Sequence, residues 1–301
     1  MFVITIIAQN FINDILAEFQ QYALQQAIDI KSYNWLNSDS AIDFFIDIDA
    51  AENSAENMQQ SLKKLCQDVI KDKPYDFIIQ DLSDKYHKRQ KKMLISDMDS
   101  TIIEQECIDE LADYLGIKQQ ISDITERAMK GELDFAESLK TRVALLKDLP
   151  ISVMSDIYKN NIKFTKGAKQ LLNVTNEHAK SILVSGGFTV FTELVKKDLG
   201  FHYTHANRLA VRNETLTGQL IMPVLDHNSK AEILNDYLVK FNLDKDDVIA
   251  IGDGANDIPM LNAVNMGVAF RAKSKVLECT NNHISHNYLE AILYMQGYNK
   301  F

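Results

Sequence analysis

Cysteine is scarce in this chain of 301 residues, which has only Cys66, Cys107 and Cys279. Three scattered thiols, odd in number, build neither a disulfide framework nor a CxxC metal site, and they read as buried or incidental. Glycine is missing from the first 115 positions, all 11 glycines lying at or after Gly116, which hints at two regions built differently. No uncharged apolar run approaches the roughly 18 residues of a membrane span. The opening MFVITIIAQN has neither a basic n-region nor a small-residue cleavage site. The expectation is a soluble protein of a reducing, cytoplasmic compartment with no membrane partner. Positive charge is also in deficit, with 32 Lys+Arg against 42 Asp+Glu and a net charge of −10, which argues against a nucleic-acid-binding surface. The absence of a G-x-x-x-x-G-K-[ST] loop removes the phosphate cradle of P-loop nucleotide chemistry. There is no internal repeat and no low-complexity tract.

What is present is ordinary globular material, 46% hydrophobic and 25% charged. A chain this long buries roughly three quarters of its unfolded surface and divides into roughly two domains. Phe2 to Ala8 is β-branched and aromatic, and Ile12, Ile15, Leu16, Phe19 and Ala23 then recur at helical spacing. A weaker strand pattern runs from Ile30 to Trp35. Ile42 to Ile48 alternates, with Asp43 and Asp47 facing away from the apolar side, which predicts a half-buried strand. Met58, Leu62, Leu65 and Val69 fit a helix, and Phe77 to Ile79 a closing strand. This β-α-β-β-α-β order describes a ferredoxin-like module and resembles the ACT-type regulatory domains of some amino-acid enzymes. ACT domains that bind an amino acid usually carry a glycine after the first strand, whereas Gln9-Asn10-Phe11 fills that turn here. Effector binding, homodimerisation and structural support therefore all stay open. The polar stretch DLSDKYHKRQKK from Asp81 to Lys92 reads as a solvated linker, Lys88, Arg89, Lys91 and Lys92 included. It places domains at residues 1–86 and 87–301.

Three buried-strand patterns then end in chemistry-bearing residues. Met93-Leu94-Ile95 runs into Ser96-Asp97-Met98-Asp99-Ser100-Thr101, bringing two carboxylates to a strand's C-terminal end, where open α/β sheets bind ligands. Val248 to Ile251 runs into Gly252-Asp253-Gly254-Ala255-Asn256-Asp257, whose glycines are expected to permit unusual backbone shapes that let Asp253 and Asp257 converge. Such oxygen donors suit a hard divalent cation such as Mg²⁺ shared with a substrate phosphate. Ser181 to Val184 runs into Ser185-Gly186-Gly187 ahead of a helical pattern from Val190 to Lys197, a candidate anion cradle. Ser229-Lys230-Ala231-Glu232 has capping-box spacing, which puts Lys230 in a helix's first turn. Carboxylates, an anion cradle and a fixed cation together are what phosphoryl transfer requires.

DMDST, SGG, the Lys230 helix and GDGANDIPML, in that order, resemble the four motifs of haloacid-dehalogenase-type phosphatases. Within that superfamily the insert resembles the phosphoserine phosphatase family, through Glu104 to Leu111 (EQECIDEL), Ala128-Met129-Lys130-Gly131, Phe135, Ser138-Leu139 and Arg142 to Pro150 (RVALLKDLP). The resemblance spans about residues 90 to 290. It implies a Rossmann-like α/β core with a small helical cap inserted at about 104–161. It also implies hydrolysis of O-phospho-L-serine to L-serine and phosphate, the closing step of serine biosynthesis. By motif position Asp97 would be nucleophile and Asp99 general acid, then base. Asp97, the Asp99 carbonyl and Asp253 would hold Mg²⁺, supported by Asp257. Ser185, Gly186, Lys230 and Asn256 would attend the phosphoryl group, with Gly187 beside the substrate. Glu106 would face the substrate amino group and Arg142 its carboxylate, with Met129 and Phe135 as walls. A related phosphatase or phosphotransferase, acting on phosphothreonine or passing phosphate to homoserine, is the alternative. A serine-sensing binding protein with a vestigial catalytic domain is a more distant one. A short insert around Ala206 to Leu220, turning at Asn213-Glu214, is assigned no chemistry.

Overall fold

Alternating side chains build the first layer. In β1 (Phe2–Ala8), Phe2, Ile4, Ile6 and Ala8 share a core with Ile42, Phe44 and Ile46 of β3 (Ala41–Ile46). That core is closed by α1 (Ile15–Gln25), through Ile15, Phe19 and Ala23, and by α2 (Ala55–Ile70), through Leu62, Leu65, Cys66 and Val69. With β2 (Ile30–Asn37) and β4 (Tyr75–Asp81) the sheet runs β2-β3-β1-β4, antiparallel throughout. The β-α-β-β-α-β order expected from the sequence is the order observed. The computed structural model describes residues 1–47, 55–82, 89–129, 132–226, 228–299 and 301. The proposed boundary between residues 86 and 87 and Lys88 lie outside them. Among the described residues no helix is long and apolar enough to cross a membrane.

The second face of this sheet corrects the half-buried reading. Asp43 is fully buried, and Ile7, Leu36, Ala41 and Ile78 join a cluster that contains Ile284, Ile292, Leu293 and Tyr294. Asp43 accepts two hydrogen bonds from Arg89, at 2.6 and 3.1 Å, and one from the Thr5 hydroxyl at 2.7 Å. The solvated-linker reading fails at two of its basic residues. The Arg89 side chain is 15% exposed and Lys91 is 4% exposed, its ammonium donating to the Asp246 carbonyl. Both find their acceptors at a distance along the chain, which local composition does not register.

The second sheet lies between two helical layers. Its order is β11-β10-β9-β5-β6-β7-β8, parallel except for the last pair. The strands are β5 (Met93–Ser96), β6 (Lys180–Phe188), β7 (Tyr203–Arg212), β8 (Thr215–Ile221), β9 (Val248–Gly252), β10 (Met266–Phe270) and β11 (Asn282–Ile284). Met93, Ile95, Ile182, Val184, Val248 and Ala250 pack against α9 (Ser229–Phe241), α10 (Ile258–Asn262) and α11 (Ser274–Cys279). Their neighbours Leu94, Leu183, Ile249 and Ile251 point the other way, toward α7 (Ala168–His178), α8 (Thr189–Leu199) and α12 (Ala291–Met295). Burial on both faces explains why these strands read as continuous apolar runs. Strand order reverses at β5, which opens a crevice beyond the C-terminal ends of β5, β6 and β9.

Four helices stand over that crevice: α3 (Cys107–Tyr114), α4 (Lys118–Met129), α5 (Phe135–Ala144) and α6 (Ser152–Asn160). They join the core through a narrow neck, where Ile103 bridges Phe164 and the Glu104 amide donates to the Lys163 carbonyl. The β7–β8 hairpin, turning at Asn213 and Glu214 with φ of 50° and 60°, braces the far end of the helices. Asp148 donates to the Leu216 carbonyl and Leu216 to that of Leu149.

Candidate active site

Asp97 and Asp99 follow directly on β5, and Asp97 is held by its amide donating to the Ile251 carbonyl of β9. Asp97 is 5% exposed. Its Oδ1 accepts from the Met98 amide and from the Lys230 ammonium, both at 2.7 Å. Lys230, 3% exposed in the first turn of α9, also reaches Asp257 Oδ1 at 2.5 Å. The expected capping box does not form. Asn228 takes the cap position with no side-chain bond, and the Ser229 hydroxyl donates instead to Asp226. Asp226 also accepts the Asn228 and Ser229 amides, so it satisfies the helix start.

Asp253 and Asp257 approach from the loop after β9. Asp257 Oδ2 accepts the Asp253 and Gly254 amides, so both of its oxygens are engaged in shaping the loop. The glycines serve space and not backbone shape: neither Gly252 nor Gly254 has a positive φ. A methyl group on Gly252 would strike the Asp257 carboxylate, and one on Gly254 would strike Asn256. Asp253 Oδ1 accepts from the buried Thr101 hydroxyl at 3.2 Å. Oxygens of Asp97, Asp253 and Asp257 all lie within 4.8 Å of one another.

Three buried carboxylates against one lysine leave negative charge in excess. Burial, and then the Asp257 charge, drive the Asp97 carboxyl well above its ordinary range, with Lys230 opposing. The same two causes push Asp253 up to about 6. Among the described residues Asp97 Oδ2 and Asp253 Oδ2 have no hydrogen-bond partner. Free hard oxygen donors with uncompensated charge fit a divalent cation, which Asp97 and Asp253 could hold while Asp257 keeps the loop in place.

Asp99 points elsewhere. Its Oδ2 accepts from the Ser185 hydroxyl and its Oδ1 from the Cys107 amide at the start of α3, both at 2.9 Å, so it ties the cap to the core. Ser185 in turn accepts from the Gly187 amide at 2.8 Å. A side chain on Gly187 would sit 3.0 Å from the Ser185 hydroxyl and 3.1 Å from Asp99, pressing on the bond between them.

Glu106, Phe135 and Arg142 come down from the cap. Crowding by protein atoms, and then the Asp99 charge, push the Glu106 carboxyl up to about 7. A 2.8 Å bond from Ser100 opposes that rise, as does the nearby Lys273 charge, and the open cleft mouth limits it. Phe135 and Arg142 project from one face of α5, and the Phe135 ring lies over Gly186. Burial lowers the Arg142 guanidinium from its ordinary value, while Asp109 and Glu106 act in the opposite sense.

A single cleft therefore gathers Asp97, Asp99, Glu106, Phe135, Arg142, Gly186, Gly187, Asp253 and Asn256. Ser185, Lys230 and Asp257 lie outside its lining, bonded to the carboxylates that form it. The Met129 side chain falls outside the described residues. The cleft also includes Cys107, Ile108, Leu139, Phe188, Gly254 and Lys273, of which Lys273 lies outside every motif read from the sequence. For Lys273 a signal was available, because Arg271-Ala272-Lys273 follows the buried strand β10 just as the acidic motifs follow β5 and β9.

Residues 94–262 match the haloacid dehalogenase-like hydrolase family. A phosphoserine phosphatase of Archaeoglobus fulgidus is 38% identical over 249 residues, 81% of this chain and 69% of that protein. A solved haloacid-dehalogenase-family hydrolase of Salmonella enterica serovar Typhi superimposes with a TM-score of 0.83 at 28% identity, covering 98% of both chains. A phosphoserine phosphatase solved as a phospho-aspartyl intermediate analogue gives a TM-score of 0.63 at 38% identity, over 68% of this chain and 98% of that one. With these likenesses and the ordered strand-end motifs in one crevice, the chain belongs to the haloacid dehalogenase-like hydrolases.

Proposed function

We propose that this protein hydrolyses O-phospho-L-serine to L-serine and inorganic phosphate. The observation that carries the reading is the meeting of Glu106 and Arg142 from the cap with Asp97, Asp99 and Asp253 from the core in one cleft. An amino-acid phosphate ester presents an ammonium, a carboxylate and a phosphate, and this cleft offers a partner of opposite charge to the first two and a reaction centre to the third. Its volume of about 160 Å³ suits a compact metabolite better than a peptide. The family likeness to phosphoserine phosphatases supports the same substrate.

Asp97 attacks phosphorus, forming its own aspartyl-phosphate as the P–O bond to serine breaks, and Asp99 gives its proton to the departing oxygen. Asp99 then takes a proton from water, which attacks phosphorus and releases phosphate and Asp97. Splitting the displacement into two steps in this way lowers each barrier. Asp97, the Asp99 carbonyl and Asp253 would hold Mg²⁺, which supplies neutralisation of charge on the phosphoryl oxygens. Asp257 supports that loop. Ser185, Gly186, Lys230 and Asn256 attend the phosphoryl group, Arg142 grips the carboxylate in a bidentate manner, and Gly187, Met129 and Phe135 wall the pocket. We read residues 1–86 as an ACT-like domain through which the chain forms a homodimer, residues 87–301 as the catalytic domain with its cap at about 104–161, and the cytoplasm as its compartment.

The test is phosphate release from O-phospho-L-serine, O-phospho-L-threonine and an aryl phosphate, each with and without Mg²⁺. The reading expects Mg²⁺-dependent turnover that strongly favours phosphoserine. Turnover of the aryl phosphate alone would overturn the substrate and keep the chemistry.

A further inference from the structure

Charge in the cleft is unevenly distributed. Asp97, Asp99, Glu106 and Asp253 all line it, in a chain whose net charge is −10. Against them stand few cations. Lys230 is buried and committed to Asp97 and Asp257, and Arg142 stands on the cap side, near Asp109 and Glu106. A phosphate ester arriving as a dianion meets this rim before it meets any metal. Lys273 is the exception on the core side: it lines the cleft and is exposed, and among the described residues its ammonium makes no ion pair.

The backbone fixes where that side chain starts. The Lys273 amide donates to the Asp253 carbonyl at 3.2 Å, which ties it to the acidic loop. Two residues earlier Arg271 adopts φ of 45°, a left-handed conformation that a side chain disfavours. That turn is clamped at both ends. The Arg271 amide donates to the Ile284 carbonyl and its Nε to the Asn287 carbonyl, while its guanidinium lies 5.1 Å from the centre of the Tyr288 ring. The chain thus leaves β10 by a forced turn and brings Lys273 back over the cleft.

We infer that Lys273 captures the phosphate end of the substrate at the core rim, lowering KM without taking part in bond making or breaking. The inference rests on the phosphoserine phosphatase reading. A rim charge of this kind acts on association and on salt dependence more than on the chemical step.

The test uses the full chain with Mg²⁺, comparing Lys273→Gln and Lys273→Arg with the unmodified protein at several salt concentrations. For Lys273→Gln the expected KM for phosphoserine rises about three- to fivefold, the upper part of the range for one solvent-exposed charge pair. Its kcat stays within about twofold, the fall of kcat/KM with salt becomes shallower, and Lys273→Arg restores most of the loss. Calorimetric titration with inorganic phosphate should show the same weakening in Lys273→Gln. Unchanged KM and phosphate affinity would overturn the inference, as would a loss confined to kcat or one that Arg does not restore. If the unmodified protein fails to turn over phosphoserine, the proposed function falls, and the phosphate titration still decides the role of Lys273.

Discussion

One ammonium stands between two buried carboxylates: Lys230 Nζ lies 2.7 Å from Asp97 and 2.5 Å from Asp257. Removing either partner therefore has opposite consequences for stability. In Asp97→Asn the lysine keeps Asp257 and a repulsive charge disappears, so the melting temperature holds or rises. Turnover falls at least about a thousandfold, as for the loss of a covalent nucleophile. In Lys230→Met the carboxylates lose their counter-charge, and denaturant unfolding should show a loss of about 3–5 kcal/mol, the usual cost of orphaning a buried charge. Added Mg²⁺ should recover part of it.

Glu106 sets a pH limit on substrate capture. Its carboxyl is pushed up to about 7, so as pH falls through that value it takes a proton and loses its hold on the substrate ammonium. The expected result is a decline of kcat/KM for phosphoserine on the acid side, a profile that reports free-enzyme ionisations. A bound divalent ion draws the midpoint below that of the metal-free protein. The substrate phosphate titrates in the same region, so the comparison is with Glu106→Gln, which should have lower kcat/KM at neutral pH and a flatter acid limb. Parallel profiles for the two proteins would refute the assignment.

Arg142 tests the carboxylate clamp. Arg142→Ala should lower kcat/KM for phosphoserine by about tenfold or more, in line with the loss of a charge-assisted hydrogen bond. Hydrolysis of a simple aryl phosphate should change little. Arg142→Lys should restore only part of the loss, because a point charge cannot reproduce the two parallel bonds of a guanidinium. Equal losses on both substrates would count against the clamp.

Arg89 ties the first sheet to α12, donating to Asp43 and Thr5 on one side and to the Tyr294 and Met295 carbonyls on the other. Replacing it by Ala leaves the Asp43 carboxylate buried beside Thr5 with no cation, at a cost of about 3–5 kcal/mol. Amide hydrogen exchange in Arg89→Ala should rise first in β1 and β3, where the sheet meets the remainder of the chain. Joint replacement with Asp43→Asn should recover much of the loss, since the double variant removes the orphaned charge. Unchanged exchange in the single variant would show that the Arg89–Asp43 pair is not what holds this face closed.

Local pattern was enough for much of this protein. The period-two alternation of β3 placed its apolar face, the continuous apolar runs of β5, β6 and β9 marked strands buried on both sides, and each run pointed to the residues that follow it. Those strand ends held the carboxylates, the glycine pair and Asn256, because a strand's direction decides which loop it feeds. Long-range partners had no such signature. Nothing around Asp43 announced Arg89, inside the stretch read as a linker, nothing near Ser229 showed that Asp226 would take over from Glu232, and nothing in the glycine-rich loop showed that its glycines yield space to Asp257 and Asn256. The strand order that reverses at β5, the descent of Glu106 and Arg142 onto the core and the return of Lys273 over the cleft were all settled in three dimensions. Packing and charge balance act between residues that are distant in sequence, so only the folded chain decides them.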